Sequence, residues 1–237
     1  MIKPAEQTPK PLTQFDGFHV DKDKHESRAD IVLDRPPSNC VSMAVAEQLR
    51  TAFEALDDDP TVQVIVLRAQ GEHFSSGCDI EEPDDGSPES LARRAWTMNS
   101  PSRCSKPVIA ANRGHCLGAG FELSLACDFR IATETTLYAL PAQSVGQGFG
   151  SAGAGRLQKM MGLARTRDVV MRSRYISGAL AYDWGIATDF VADSELESLT
   201  DALVRELLGS SPLVQRAAKN VLNAMEDTAP QFSFSPV

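Results

Sequence analysis

Gly114-His115-Cys116-Leu117-Gly118-Ala119-Gly120-Phe121-Glu122-Leu123-Ser124-Leu125-Ala126-Cys127-Asp128, the stretch GHCLGAGFELSLACD, decides how this chain is read. It follows an apolar run of strand length, Pro107 to Ala111 (PVIAA), and its own pattern predicts a helix over Gly118 to Ala126 with small residues in the first turn. Small residues let backbone approach a ligand closely, and the first N–H groups of a helix have no acceptor within the helix. With the helix dipole behind them, such N–H groups suit negative charge developing on an oxygen. Glu122 lies four residues beyond Gly118 among Gly, Ala, Phe, Leu, Ser and Cys. A carboxylate in such company needs a partner or a task. Burial raises its pKa toward the range of a general acid or base; the structural alternative is an ion pair with Arg113 or Arg130.

Outward from this stretch, a second glycine-bearing turn, HFSSGCDI at 73–80, follows the β-branched run Val62 to Leu67 (VQVIVL). Before that, Ile31 to Leu33 reads as a strand closed by Asp34, Arg35 and the Pro36-Pro37 pair. Ser42 to Leu56 carries Val45, Leu49, Phe53 and Leu56 at helical spacing, and the order strand, helix, strand predicts a βα architecture with a largely buried sheet. Cys78 to Ser90 (CDIEEPDDGSPES) has the composition of a surface segment. A helix over Leu91 to Met98 and a strand over Phe129 to Ala132 follow. Beyond Gly155 the pattern is helical: Leu157 to Arg172, Gly178 to Gly185, Glu195 to Leu208 and Pro212 to Met225. The fold class is therefore α/β, with a helical last third.

Composition narrows the function. The 237 residues are 42% hydrophobic and 23% charged, an ordinary globular balance. A net charge of −9 argues against a general nucleic-acid or anionic-membrane binder. Five cysteines, at 40, 78, 104, 116 and 127, form neither a CxxC pair nor a disulfide scaffold, which fits reduced thiols in a cytoplasm. No run of 18 apolar residues predicts a membrane span. Residues 1–14 read as a flexible arm, without the apolar core of a signal peptide. His19 and His25 show no metal-ligand spacing, so no metal is expected; His73 and His115 read as a loop residue and a packing residue at the start of the helix. Trp96, Met98, Tyr138 and Phe149 are candidates to line an apolar pocket.

The pair HFSSGCDI and GHCLGAGFELSLACDFRIA resembles the two signature segments of the crotonase superfamily, the enoyl-CoA hydratase/isomerase family. IVLDRPPSN, KPVIAANRG, GRLQKMMGLARTRDVVM and ISGALAYDWGIATDFV match in order, so the resemblance covers residues 28–225. It implies a spiral of ββα units, a core with an acyl-CoA site over 15–190, and a helical trimerisation region over 191–237, shorter than is usual in the family. It further implies a homotrimer or a hexamer, an acyl-CoA thioester as ligand, and no cofactor beyond the CoA moiety. The thioester oxygen would be held by the backbone N–H groups of Cys78 and Ala119, with Glu122 as the acid/base. Arg35, Ser76, Gly77, Asp79, Ile80, Gly118, Ala142, Gln143 and Phe149 fall at substrate-binding positions, and Arg28 and Arg35 are the nearest cations for the CoA phosphates.

One position departs from the family. Hydratases carry a second Glu where LPAQSVGQGFGSAGAGRL places Ala142, with Gln143 adjacent. Two carboxylates can hold a water and move its protons; with one, Glu122 must act as both base and acid. The leading expectation is an enoyl-CoA hydratase or isomerase. The alternatives are a CoA-dependent decarboxylase or C–C hydrolase, for which one acid/base is sufficient, and a catalytically silent acyl-CoA binder.

Overall fold

Strand β1 (Phe18–Asp23) pairs antiparallel with β2 (Arg28–Leu33), Phe18 opposite Leu33 and Asp23 opposite Arg28. Then come α1 (Met43–Asp58), β3 (Val64–Ala69), α2 (Pro88–Met98), α3 (Ser100–Arg103), β4 (Val108–Ala111), β5 (His115–Leu117), α4 (Ala119–Leu125), β6 (Phe129–Thr133) and β7 (Leu137–Ala139). The rest of the chain forms α5 (Ser151–Met161), α6 (Leu163–Met171), β8 (Ile176–Ser177), α7 (Gly178–Asp183), β9 (Asp189–Val191), α8 (Leu196–Leu208) and α9 (Pro212–Asp227). The computed structural model describes residues 15–23, 27–77, 87–141 and 151–227.

Among the described residues, one sheet runs β1-β2-β3-β4-β6-β9, parallel from β2 onward, and a smaller one runs β5-β7-β8. The VQVIVL run shows why the large sheet is covered on both faces. Val64 and Val66 pack with Ile109 and Ile131 against Leu196 and Val204 of α8, while Ile65 and Leu67 join Ile31, Leu33 and Phe53 in the main core. Alternate residues of one strand thus serve two cores, each such side chain contributing roughly 1.5–3 kcal/mol when fully buried.

Ser42 caps α1 rather than starting it, its hydroxyl accepting from Val45 N–H at 3.2 Å. At the other end the fully buried Lys106 donates from Nζ to the carbonyls of Leu56 at 2.5 Å and Asp59 at 2.6 Å. A cation at a helix C-terminus complements the dipole there. The expected helix Leu157 to Arg172 is two helices, α5 and α6, because Gly162 between them adopts φ of 82°. The last third also holds the short strands β8 and β9, which the helical periodicity does not announce.

Helix α9 turns its polar side inward. Lys219 is buried, donating to the carbonyls of Pro101 at 3.0 Å and Lys106 at 2.8 Å and to Asp128 Oδ2 at 2.6 Å, and Asn223 donates to Ser102 O at 2.7 Å. Leu213, Val214, Val221, Leu222 and Met225 face outward, each more than 60% exposed. Among the described residues no helix is long and apolar enough to cross a membrane.

Candidate active site

The two glycine turns come together at the carboxyl end of the parallel strands. Residues 73–77 leave β3 and run beside β5: Phe74 N–H donates to Arg113 O, Ser75 N–H to His115 O and Leu117 N–H to Ser75 O, at 2.8 to 3.0 Å. This short ladder ends where Gly77, at φ 105°, meets Gly118, at φ 50°. A Cβ on Gly77 would stand 3.0 Å from Leu117 O, and one on Gly118 would stand 3.6 Å from the Gly77 Cα. Both backbones sit in the left-handed region and close on each other, so glycine at these two places is a requirement of the turn.

From that junction α4 begins at Ala119, which is almost wholly buried. Gly118 N–H donates to Ala139 O at 2.9 Å, and among the described residues the Ala119 N–H meets no acceptor. One turn along, Glu122 is 7% exposed. A Cβ at residue 153 would lie 3.2 Å from Glu122 Cγ and 3.9 Å from Cδ, so the first turn of α5 backs the carboxylate with a glycine. Both arginines considered as partners of Glu122 make strong bonds elsewhere. Arg113 pairs with Glu197 at 2.6 Å and Asp193 at 3.8 Å. Arg130 is buried and grips the far end of α4, donating to Ser124 O at 3.2 Å, Cys127 O at 2.6 Å and Ile186 O at 2.6 Å. The helix that carries Ala119 and Glu122 is therefore fixed at its C-terminus by a guanidinium.

A third segment closes the rim. Ser76 N–H donates to Ser38 O and Val41 N–H to Gly77 O, while Ser76 Oγ bonds Ser38 Oγ at 2.9 Å. Arg35 donates from Nη1 to Cys40 O at 3.3 Å, which keeps it beside this rim. Arg28, the other cation considered for the CoA phosphates, lies at the opposite end of β2, paired with Asp30 at 2.5 Å and Asp201 at 2.6 Å. Sequence reasoning missed Asn39. Buried at φ 51°, it accepts from Arg35 N–H at 2.8 Å and donates to Gln70 O at 3.0 Å and His73 O at 2.8 Å. It ties the turn after β2 to the segment that leads to Gly77, and an Asn just after the Pro-Pro-Ser turn was the available signal. Asn39→Ala is expected to cost about 1–3 kcal/mol by leaving buried groups unpaired, seen as a lower urea midpoint, and to raise KM for a CoA ester more than it lowers kcat.

His73 and His115 stack at 4.2 Å, with His115 N–H donating to His73 Nδ1, and burial followed by the neighbouring imidazole lowers the His115 pKa. Tyr138 is core: its hydroxyl donates to Asn112 Oδ1 at 2.9 Å. Met98 is buried, whereas Trp96 is 59% exposed beneath the Arg103 guanidinium. Cys78, Asp79, Ile80, Ala142, Gln143 and Phe149 lie outside the described residues. No group of three His, Cys, Asp or Glu side chains gathers at metal-binding distance among the described residues.

An α/β spiral with two glycine turns abutting at the start of a buried, carboxylate-bearing helix is the arrangement of the crotonase superfamily. The chain belongs to the enoyl-CoA hydratase/isomerase family, which it matches over residues 23–233. The carnitinyl-CoA dehydratase of Salmonella typhi is 34% identical over 206 residues, covering 84% of this chain and 77% of its own. Enoyl-CoA hydratase subunit I of Geobacillus kaustophilus HTA426 superimposes with a TM-score of 0.84 at 29% identity, covering 92% of this chain and 85% of its own. A Thermobifida fusca YX protein described as an enoyl-CoA hydratase, in complex with acetoacetyl-CoA, gives 0.79 at 28% identity, covering 88% and 87%. The protein is thus an acyl-CoA enzyme of the enoyl-CoA hydratase/isomerase type.

Proposed function

We propose that the protein hydrates an enoyl-CoA, or dehydrates the corresponding 3-hydroxyacyl-CoA, through an enolate whose oxygen is held by the backbone N–H groups of Cys78 and Ala119. The observation that supports this reading is the abutment of Gly77 and Gly118 at the start of α4, with Glu122 one turn further along that helix. In the hydration direction a water oxygen bonds to Cβ and its proton passes to the Glu122 carboxylate. The π electrons move onto the thioester oxygen, and Glu122 then returns the proton to Cα. The reading requires no cofactor beyond the CoA moiety and no metal, and takes the protein to act in the cytoplasm.

Incubation with a panel of enoyl-CoA and 3-hydroxyacyl-CoA thioesters, carnitinyl-CoA included, is expected to show turnover in at least one case. Binding of every ester without turnover would contradict the reading and favour a silent acyl-CoA binder, which the Ala at 142 specifically supports. Ala142→Glu separates the two further: hydration gained by that change alone means that the native pocket lacked only a second carboxylate. Products short of carbon dioxide or of an acyl fragment would instead identify a decarboxylase or a C–C hydrolase.

The proposal includes a homotrimer, alone or paired as a hexamer. The outward apolar side of α9, with Val214, Val221 and Met225 at helical spacing, supports burial against another copy of the chain. Val221→Asp combined with Leu222→Glu is expected to convert the assembly to monomers by light scattering on a sizing column. A wild-type protein that already runs as a monomer contradicts the trimer.

A further inference from the structure

At the end of α4 away from Ala119, a cavity of about 270 Å³ opens between α4, α5 and α9. It has room for several water molecules. Its lining includes Arg130, Arg156, Lys159, Cys127, Asp128 and Glu226. The two carboxylates are each engaged: Asp128 by Lys219 at 2.6 Å and Glu226 by Arg156 at 2.9 Å. Burial pushes the Cys127 thiol up to about 12, so sulfur adds no negative charge at neutral pH. Two cations make no direct ion pair among the described residues, although Asp128 is near enough to Arg130 to attract it. Lys159 donates to Glu226 O, a neutral carbonyl. Arg130 is 4% exposed, and its bonds run from Nε and Nη1 to carbonyl oxygens alone. Carbonyl dipoles orient a buried guanidinium without neutralising it. Its Nη2 makes no hydrogen bond to a described residue, yet it is not among the sealed atoms lacking a partner, which are Ser100 Oγ and Asn112 Nδ2. It therefore keeps accessible surface, and Arg130 lines the cavity.

We propose that this cavity is a binding site for a small oxyanion, a phosphate or a carboxylate, held between Arg130 Nη2 and Lys159. In a protein of net charge −9, Arg130 and Lys159 stand on one half-open cavity in excess of the cations already paired with its two carboxylates, a local positive excess that a compact anion completes. The site is separate from the acyl-CoA pocket and does not depend on the reaction proposed there. An anion bonded to Arg130 would also load the guanidinium that caps α4.

The test is thermal unfolding of the full chain at constant ionic strength, with chloride replaced by inorganic phosphate in one series and by malonate in another. A saturable rise in Tm is expected with at least one of them, and the anion that saturates at the lower concentration assigns the source. Lys159→Glu, a change at an exposed position, is expected to weaken the apparent affinity about tenfold or more. Arg172→Glu alters the net charge equally at a distant exposed position and is expected to leave that affinity unchanged. Arg130→Gln is the direct variant, but it also removes the α4 cap, so Lys159→Glu carries the decision. The proposal is overturned by an unsaturable response, by equal loss in both charge reversals, or by a Lys159→Glu protein that binds as the wild type does. The last result would put the anion at the acyl-CoA pocket.

Discussion

Glu122→Gln is expected to lower kcat by roughly 10²–10⁴-fold while leaving the affinity for an acyl-CoA within about threefold. The carboxamide has the same shape and fits the space that Gly153 leaves beside Cγ, so the fold and pocket should persist. What it lacks is the ability to take a proton and return it. Because the residue sits on α4 rather than in a loop, its position relative to the Ala119 N–H is set by the helix, and that helix is pinned at its end by Arg130. A variant with normal kcat would remove Glu122 from the chemistry. A variant with normal turnover at saturation but a much larger KM would make it a binding group.

Lys219→Met is expected to cost about 3–5 kcal/mol near pH 7, the scale for breaking an ion pair of low exposure from one side. The ammonium serves Pro101 O, Lys106 O and Asp128 Oδ2 together, so its loss leaves two carbonyls and one carboxylate short of a donor. The loss should depend on pH. Burial raises the Asp128 pKa, and Lys219 and the Val108 N–H oppose that rise. Removing Lys219 lifts the folded-state pKa further above the unfolded value of about 3.9. A folded pKa above the unfolded one means the folded state binds the extra proton. Stability is then retained at low pH and lost as pH rises through the folded value. Urea unfolding at two pH values checks this: a clearly larger loss at pH 7 than near pH 4 is expected, with Asp128→Asn recovering part of it at pH 7. Equal losses at both pH values would mean that the carbonyl bonds alone matter.

How much of this was legible in the sequence varies with the residue. The strand at Val62 to Leu67 and the helix after Ser42 were readable because their apolar spacing matches what the sheet and core demand. Small residues at a helix start are common, so the two signature turns were readable as chemistry only through Glu122 and the family resemblance of the pair. That the two turns meet was legible only as what the resemblance implies, since no linear pattern says that Gly77 and Gly118 touch; the ladder of residues 73–77 on β5 is what brings them together. Strands β7, β8 and β9 escaped because two or three residues give no periodicity to detect. Gly162 was passed over because the apolar spacing continues through it, although its positive φ breaks the helix. Lys106 and Lys219 were invisible for a different reason. A lysine reads as solvated until neighbouring carbonyls enclose its ammonium, and in α9 it is the apolar side that faces out.

The central claim is that this chain stabilises a thioester enolate and that Glu122 moves the proton at Cα. It is tested most directly by incubating the protein in deuterium oxide with a saturated acyl-CoA and following deuterium at Cα by mass spectrometry, a measurement independent of the net reaction and of the missing Glu at 142. Incorporation catalysed by the wild type and abolished by Glu122→Gln is the predicted result. Tight binding of the ester with no incorporation above the uncatalysed rate would contradict the account.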